Sequence, residues 1–297
     1  MRIPTPTAGR TQLQPRVAIT IDLHESDSPS DITYAANWLA GVGIAATFFV
    51  PSAMFDYAKY AERLKDLHDY GHEVGSHTHN HDWTETQALI EGPRERLGFL
   101  RVSKSTFEDF YGRSPRSFRS PGWCVLGPAA LDELETLGYT VDSSATPQRL
   151  SILSSLPYHG AYTLAPRRVR RIRPGLLEVP TSTLLVPAAS PTFLIFRHML
   201  SLAFVRMLLL EATALMGRVL TLQFHPEDFS PVAPACTSRS SLRLEDFWLR
   251  RYGGLTFKHK LKCNQRAQIV RTTRAIIDLV GKQRHSTLAA IAAEWAI

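Results

Sequence analysis

Apolar and polar positions fall along this chain in blocks whose lengths separate strands from helices. Residues 17–23, VAITIDL, are an apolar, β-branched run that predicts a buried strand, and it ends in Asp22-Leu23-His24-Glu25. Residues 31–42 predict a helix with Asp31 at its N-cap and Gly41 and Gly43 closing it. A second strand is predicted over 45–50, a helix over 57–70 that stops at Gly71, and a short strand over 73–75. A helical stretch over 86–111 is interrupted near Gly92-Pro93, and a helix over 128–137 ends at Gly138. Further strands are predicted over 139–144, 176–180 and 218–224, the last leading into His225-Pro226-Glu227-Asp228. An amphipathic helix over 264–280 and a closing segment over 286–295 complete the chain. Repeated βα units imply a parallel sheet or barrel.

Polar residues concentrate where the predicted strands end. A carboxylate and an imidazole at the end of a buried strand are where an α/β barrel places its chemistry. The stretch GHEVGSHTHNHDW, residues 71–83, packs His77, His79 and His81 into five positions, although the whole chain holds 11 histidines. Neutral imidazole is a common transition-metal ligand. On a helical turn His77 and His81 share a face while His79 points elsewhere. The bland alternative is a solvated loop with incidental histidines.

The 297 residues fit one large α/β domain behind a Pro/Thr/Arg-rich segment, and the expected division is a flexible 1–15 and a single domain over 16–297. The hydrophobic share of 44% and charged share of 21% are those of a soluble globular protein. A net charge of +7 and a pI near 9.5 favour an anionic partner. Nucleic acid is not expected, because no zinc-finger spacing, helix-turn-helix cue or aromatic-interleaved basic strand accompanies the charge. The densest basic run, RRVRRIR over 167–173, reads either as a solvated loop or strand edge or as an anion contact. Cys124, Cys236 and Cys263 are odd in number and widely spaced, so neither a disulfide framework nor a thiolate zinc site is indicated. The first residues lack the apolar core of a secretory signal, and the expected location is the cytoplasm.

Residues 192–216, TFLIFRHMLSLAFVRMLLLEATALM, are almost wholly apolar, interrupted by Arg197, His198, Arg206 and Glu211. Two arginines within the stretch argue against a membrane span. A core-facing helix, a helix lying on an anionic membrane surface and a helix docking a second subunit remain open.

Five motifs in one order carry a family resemblance: Asp22 after a β-run, His77-x-x-x-His81 after Gly75, Arg119-Ser-Pro-Gly122 after Phe118, Leu137-Gly-Tyr-x-x-Asp142-Ser, and Leu222-Gln-Phe-His225. Together, with the closing segment, they resemble the polysaccharide deacetylase family, carbohydrate esterase family 4, also known as the NodB homology domain. The resemblance implies a distorted (β/α) barrel of about seven strands, here with an apolar helical insertion around 192–216. It implies hydrolysis of an N-acyl, usually N-acetyl, amino sugar with one divalent transition metal. In the roles it carries over, His77 and His81 ligate the metal, Asp22 is the general base, His225 the general acid, and Arg119 orients and pairs with Asp22. Pro121, Gly122, Trp123 and Asp142 line the substrate side, Asp142 from behind. Zinc is the default metal for nitrogen ligands, with nickel, cobalt and iron allowed. Some branches of the family act on sugars linked to a polyprenyl phosphate, so the expected substrate is an amino sugar, free or carried on a lipid or nucleotide. That expectation extends to peripheral contact with the inner face of the membrane and to a homo-oligomer through the 192–216 helix. A cyclic-amide hydrolase of the allantoinase kind and a non-catalytic carbohydrate- or lipid-binding relative are the alternatives.

The chain departs from the family pattern at one position. The family commonly has an acid at the place of His24, two residues after Asp22, and that acid ligates the metal. Three readings follow: His24 is the third ligand, Glu25 reaches the metal through a bulge, or the site binds no metal.

Overall fold

A computed structural model describes residues 15–147, 166–214, 219–230 and 253–295, with side chains in the last segment described from 267 onward. The expected flexible segment 1–15, apart from Pro15, and Cys236 lie outside the described residues, as does the side chain of Cys263. Strands β1 (Arg16–Asp22), β2 (Thr47–Val50), β3 (Glu73–Ser76), β4 (Ser117–Phe118), β5 (Val141–Asp142), β6 (Arg170–Arg173) and β7 (Leu176–Glu178) come first. A hairpin of β8 (Thr183–Leu184) and β9 (Val186–Pro187) precedes β10 (Val219–Phe224). Eight of these form one curled sheet in the order β10-β1-β2-β3-β4-β5-β7-β6. Seven strands run parallel, and β6 closes one edge antiparallel to β7. This is the expected distorted (β/α) barrel, with one antiparallel strand added.

Helices α1 (Pro29–Gly41), α2 (Ala58–Asp69), α3 (Trp83–Glu91), α4 (Gly98–Tyr111), α5 (Pro128–Thr136) and α6 (Ser190–Ala214) connect the strands. A long helix Gly253–Val280 and a short one, Leu288–Trp295, end the chain. Helix α1 starts two residues before the expected Asp31, because Pro29 is preset for a first helical position and Asp31 then stands in the first turn, where its charge complements the helix dipole. The basic run resolves as the exposed edge strand β6. The closing segment is the Ala-rich helix Leu288–Trp295, and just before it His285 bridges to Val17 of β1.

Alternation along β1 divides two cores. Val17, Ile19 and Ile21 pack with Ile32, Leu39 and Leu64 of the surrounding helices. Ala18 joins Phe49, Val141, Val179 and Val219 with Leu288 and Ile291, so the last helix plugs the end of the barrel where the strands begin. Glu73 locks that plug. Its carboxylate accepts from Thr47 Oγ1 at 2.7 Å, Ser117 Oγ at 2.5 Å and the Ala289 backbone N–H at 3.0 Å. Gly75 is needed on β3, since a Cβ there would stand 2.9 Å from Ser117 O and 3.0 Å from the Phe49 ring.

Candidate active site

The opposite end of the barrel gathers the C-terminal ends of β1, β3, β4, β5 and β10, and each delivers one of the residues singled out above. Asp22 ends β1 with its carboxylate buried, 5% exposed. Arg119 follows β4 and is fully buried. Its Nη1 donates to Asp22 Oδ1 at 2.7 Å and to Thr20 Oγ1 at 2.8 Å, Nη2 donates to Ser143 Oγ at 2.8 Å, and Nε donates to Ser143 O at 3.0 Å. The guanidinium also lies over the Phe49 ring, 4.4 Å from its centroid. Every nitrogen of the fork is engaged, so the planar group is fixed on the carboxylate. The second carboxylate oxygen, Asp22 Oδ2, accepts from Gln223 Nε2 at 3.1 Å.

His77 directly follows β3, and its Nδ1 donates to the Arg119 carbonyl at 2.7 Å. That bond leaves Nε2 as the lone-pair nitrogen of a neutral ring, the form a metal needs. Burial, and then the neighbouring His81, hold the His77 pKa well below its ordinary value. Burial likewise lowers His81, with Asp22 and Glu25 pulling partly in the other direction. The His77–His81 pair does not sit on a helical turn, as its spacing implied. Residues 77–82 form a loop in which Thr78 (φ 69°) and His81 (φ 56°) both take left-handed conformations, and this double reversal folds the ring of His81 back to 4.6 Å from that of His77. His79 does point away, its Nδ1 2.7 Å from Ser52 Oγ.

His24 completes the cluster. One ligand-type nitrogen from each of His24, His77 and His81 lies within 4.8 Å of the others. Glu25 is exposed and lies outside this group. His81 Nε2 is buried with no hydrogen-bond partner among the described residues. An orphaned buried nitrogen facing two further imidazoles fits a transition-metal ion. His225, after β10, stacks on His24 with ring centroids 5.2 Å apart and an 18° interplanar angle, and its backbone N–H is held by Asp228 Oδ2 at 2.7 Å.

Residues 9–141 match the sequence model of a family described as polysaccharide deacetylase. The fold matches a Mycobacterium smegmatis structure described as a polysaccharide deacetylase, with a TM-score of 0.51 and 17% identity over 96% of each chain. Over residues 9–141 the chain is similar to the polysaccharide deacetylase family. A carbohydrate esterase family 4 domain of a xylanase from the hindgut metagenome of Trinervitermes trinervoides aligns at a TM-score of 0.45 and 12% identity over 96% of this chain and 92% of that one. No curated protein sequence matches the chain.

The remaining expected residues divide into two groups. Pro121, Gly122 and Trp123 form a short turn beside the cluster's supporting strands, with Gly122 (φ 59°) and Trp123 (φ 55°) both left-handed. Gly122 is exposed and Trp123 is half-buried. Asp142 is 1% exposed and stands beneath that turn rather than on its surface. Its Oδ1 accepts from the Ser144 hydroxyl, and Ser144 Oγ in turn accepts from the Ser120 N–H at 2.9 Å. Asp142 therefore acts on the Pro121–Trp123 turn through Ser144. Across the register from it lies Glu178, also buried. Burial raises the pKa of both, Asp142 to about 6 and Glu178 further, and the two carboxyls are within hydrogen-bonding reach. Asp142 Oδ2 has no hydrogen-bond partner among the described residues.

Sequence reading missed Gln223, Glu178 and Glu85. Glu85 accepts the backbone N–H of Asn80 at 2.9 Å and of His81 at 3.0 Å, which pins the strained loop. A signal was present, since Asp82-x-x-Glu85 is a capping-box pattern, and Asp82 does cap α3 by accepting from the Glu85 N–H at 2.8 Å. The Glu85 carboxylate reaches further back than that pattern implies, onto the histidine loop.

Proposed function

We propose that this protein is a metal-dependent N-deacetylase of an amino sugar. The observation that carries the reading is the meeting of a clamped carboxylate, Asp22, with a three-imidazole cluster and a fourth imidazole, His225, at one barrel mouth. His24, His77 and His81 are the residues that would hold the ion, with zinc the first choice for three nitrogen donors. Bound there, the ion supplies Lewis acidity toward a carbonyl oxygen and toward water. Asp22, held by Arg119 and Gln223, takes the proton from the attacking water. His225 gives a proton to the amine as the C–N bond breaks, so acetate and a free amino sugar leave. The Pro121–Trp123 turn offers the half-buried Trp123 as a surface for a sugar ring.

A second reading, a non-catalytic carbohydrate-binding relative, has one observation behind it: a histidine, His24, stands where the family commonly has an acid as ligand. Elemental analysis of the purified protein, paired with acetate release from N-acetylated oligosaccharides, separates the two. About one transition-metal ion per chain is expected, lost in His77→Ala and retained in His79→Ala, with acetate release lost in Asp22→Asn. A chain that takes up no metal from zinc, nickel, cobalt or iron solutions overturns the deacetylase reading.

A further inference from the structure

Helix α6 is nearly apolar throughout, and the structure shows why its sequence gave no preferred face. Its chain breaks at Arg197 (φ 57°, ψ −176°), and the part that follows packs one side inward through Ser201, Phe204, Val205, Leu208 and Ala212. Those residues lie against the core and the long helix Gly253–Val280. The other side is equally apolar and open. Met199 is 72% exposed, Leu200 64%, Met207 53% and Leu210 72%. With Ala203, Arg206, Thr213 and Ala214, all exposed, they fall on an arc of about 140° at the helical repeat. By length and composition α6 would cross a bilayer, but one side of it is committed to the protein's own core. A helix of this kind lies along an interface instead of spanning it.

The charge around the stripe is of one sign. Arg206 stands within it and Arg197 at its start, both exposed and in no ion pair among the described residues. Glu211 is the sole acid of α6, and it is paired with Arg167. That pair also fixes the start of the basic run against the C-terminal part of the helix, and Arg168, Arg170 and Arg171 of the run are exposed. An apolar stripe bordered by arginines matches the headgroup boundary of an anionic bilayer.

We propose that α6 is the surface by which this protein docks, without insertion across the bilayer, on a membrane containing anionic lipid. The docking stands independently of the deacetylase reading, since none of its residues belongs to the barrel-mouth site.

The test is flotation of the full chain with vesicles of phosphatidylcholine alone or mixed with phosphatidylglycerol. The chain is expected to float with the mixed vesicles, to do so less as salt rises, and to stay behind with phosphatidylcholine alone. The Met207→Glu/Leu210→Glu double variant is expected to bind at least about tenfold more weakly, and Arg206→Glu to weaken binding in the same direction. All three positions are exposed, and unchanged circular dichroism shows that the variants fold. Absence of flotation by the parent, or flotation that the double variant leaves intact, overturns the proposal. So does a concentration-dependent dimer in sedimentation velocity that the double variant dissolves, which would assign the stripe to a second copy.

Discussion

Arg119 and Asp22 form an ion pair of 2.7 Å in which the arginine side chain is fully buried and the aspartate side chain is 7% exposed. Pairs of this depth gain little over an apolar replacement of both partners, but they cost heavily when one partner alone is removed. Arg119→Met leaves the Asp22 carboxylate buried with Gln223 as its remaining donor, and strips Thr20 and Ser143 of theirs. Stability measured by urea unfolding is expected to fall by about 3 to 5 kcal/mol. Arg119→Lys is expected to recover only part of the loss, since one ammonium cannot serve four acceptors in a plane. A loss no greater than that of the exposed Arg206→Met would show that the pair is not holding the barrel mouth.

The loop carrying His81 is held in its left-handed turns by Glu85. Glu85→Ala frees the N–H groups of Asn80 and His81 without touching an imidazole. Zinc affinity measured by calorimetry is expected to drop about 10- to 100-fold, as for other residues that orient a ligand from behind. The circular dichroism spectrum is expected to stay unchanged. Parental affinity in this variant would remove Glu85 from that role.

The Asp142–Glu178 pair sets a pH dependence whose sign follows from burial. Both carboxyls titrate above their ordinary range in the folded chain, so the native state holds protons that the unfolded chain releases. The contribution is complete below about pH 4 and is lost as pH rises through the raised values. Glu178→Gln supplies Asp142 with a permanent N–H donor and needs no proton. Between about pH 5 and pH 8 the parent is expected to lose on the order of 2 kcal/mol more stability than this variant. Parallel pH profiles from urea unfolding would remove this pair as the source of the dependence.

The alternating βα pattern was legible because the buried runs of β1, β2 and β10 are short and apolar, and the motifs at their polar ends carried the resemblance that implied the barrel. The site residues were legible as types. How they meet was not. His77 and His81 have helical spacing, yet two positive φ angles bring them together, and neither Thr78 nor His81 advertises that conformation as a glycine would. Gln223 was invisible for a different reason: its bond to Asp22 joins positions 201 residues apart, and no local pattern encodes it. For α6 the apolar residues surround the axis almost evenly, so only its packing partners decide which side is covered.

The pairing of β1 with β10 also has a consequence for how the protein is made. Strand β1 leaves the ribosome well before its neighbour on one side, β10, which follows about two hundred residues later. Contacts of such separation are slow to close. Until β10 arrives, Asp22 has neither Gln223 beside it nor His225 across from His24. Residues 9–141, which match the family's sequence model, therefore stop short of the full barrel mouth, and a fragment cut there would keep the three clustered histidines while lacking Gln223 and His225.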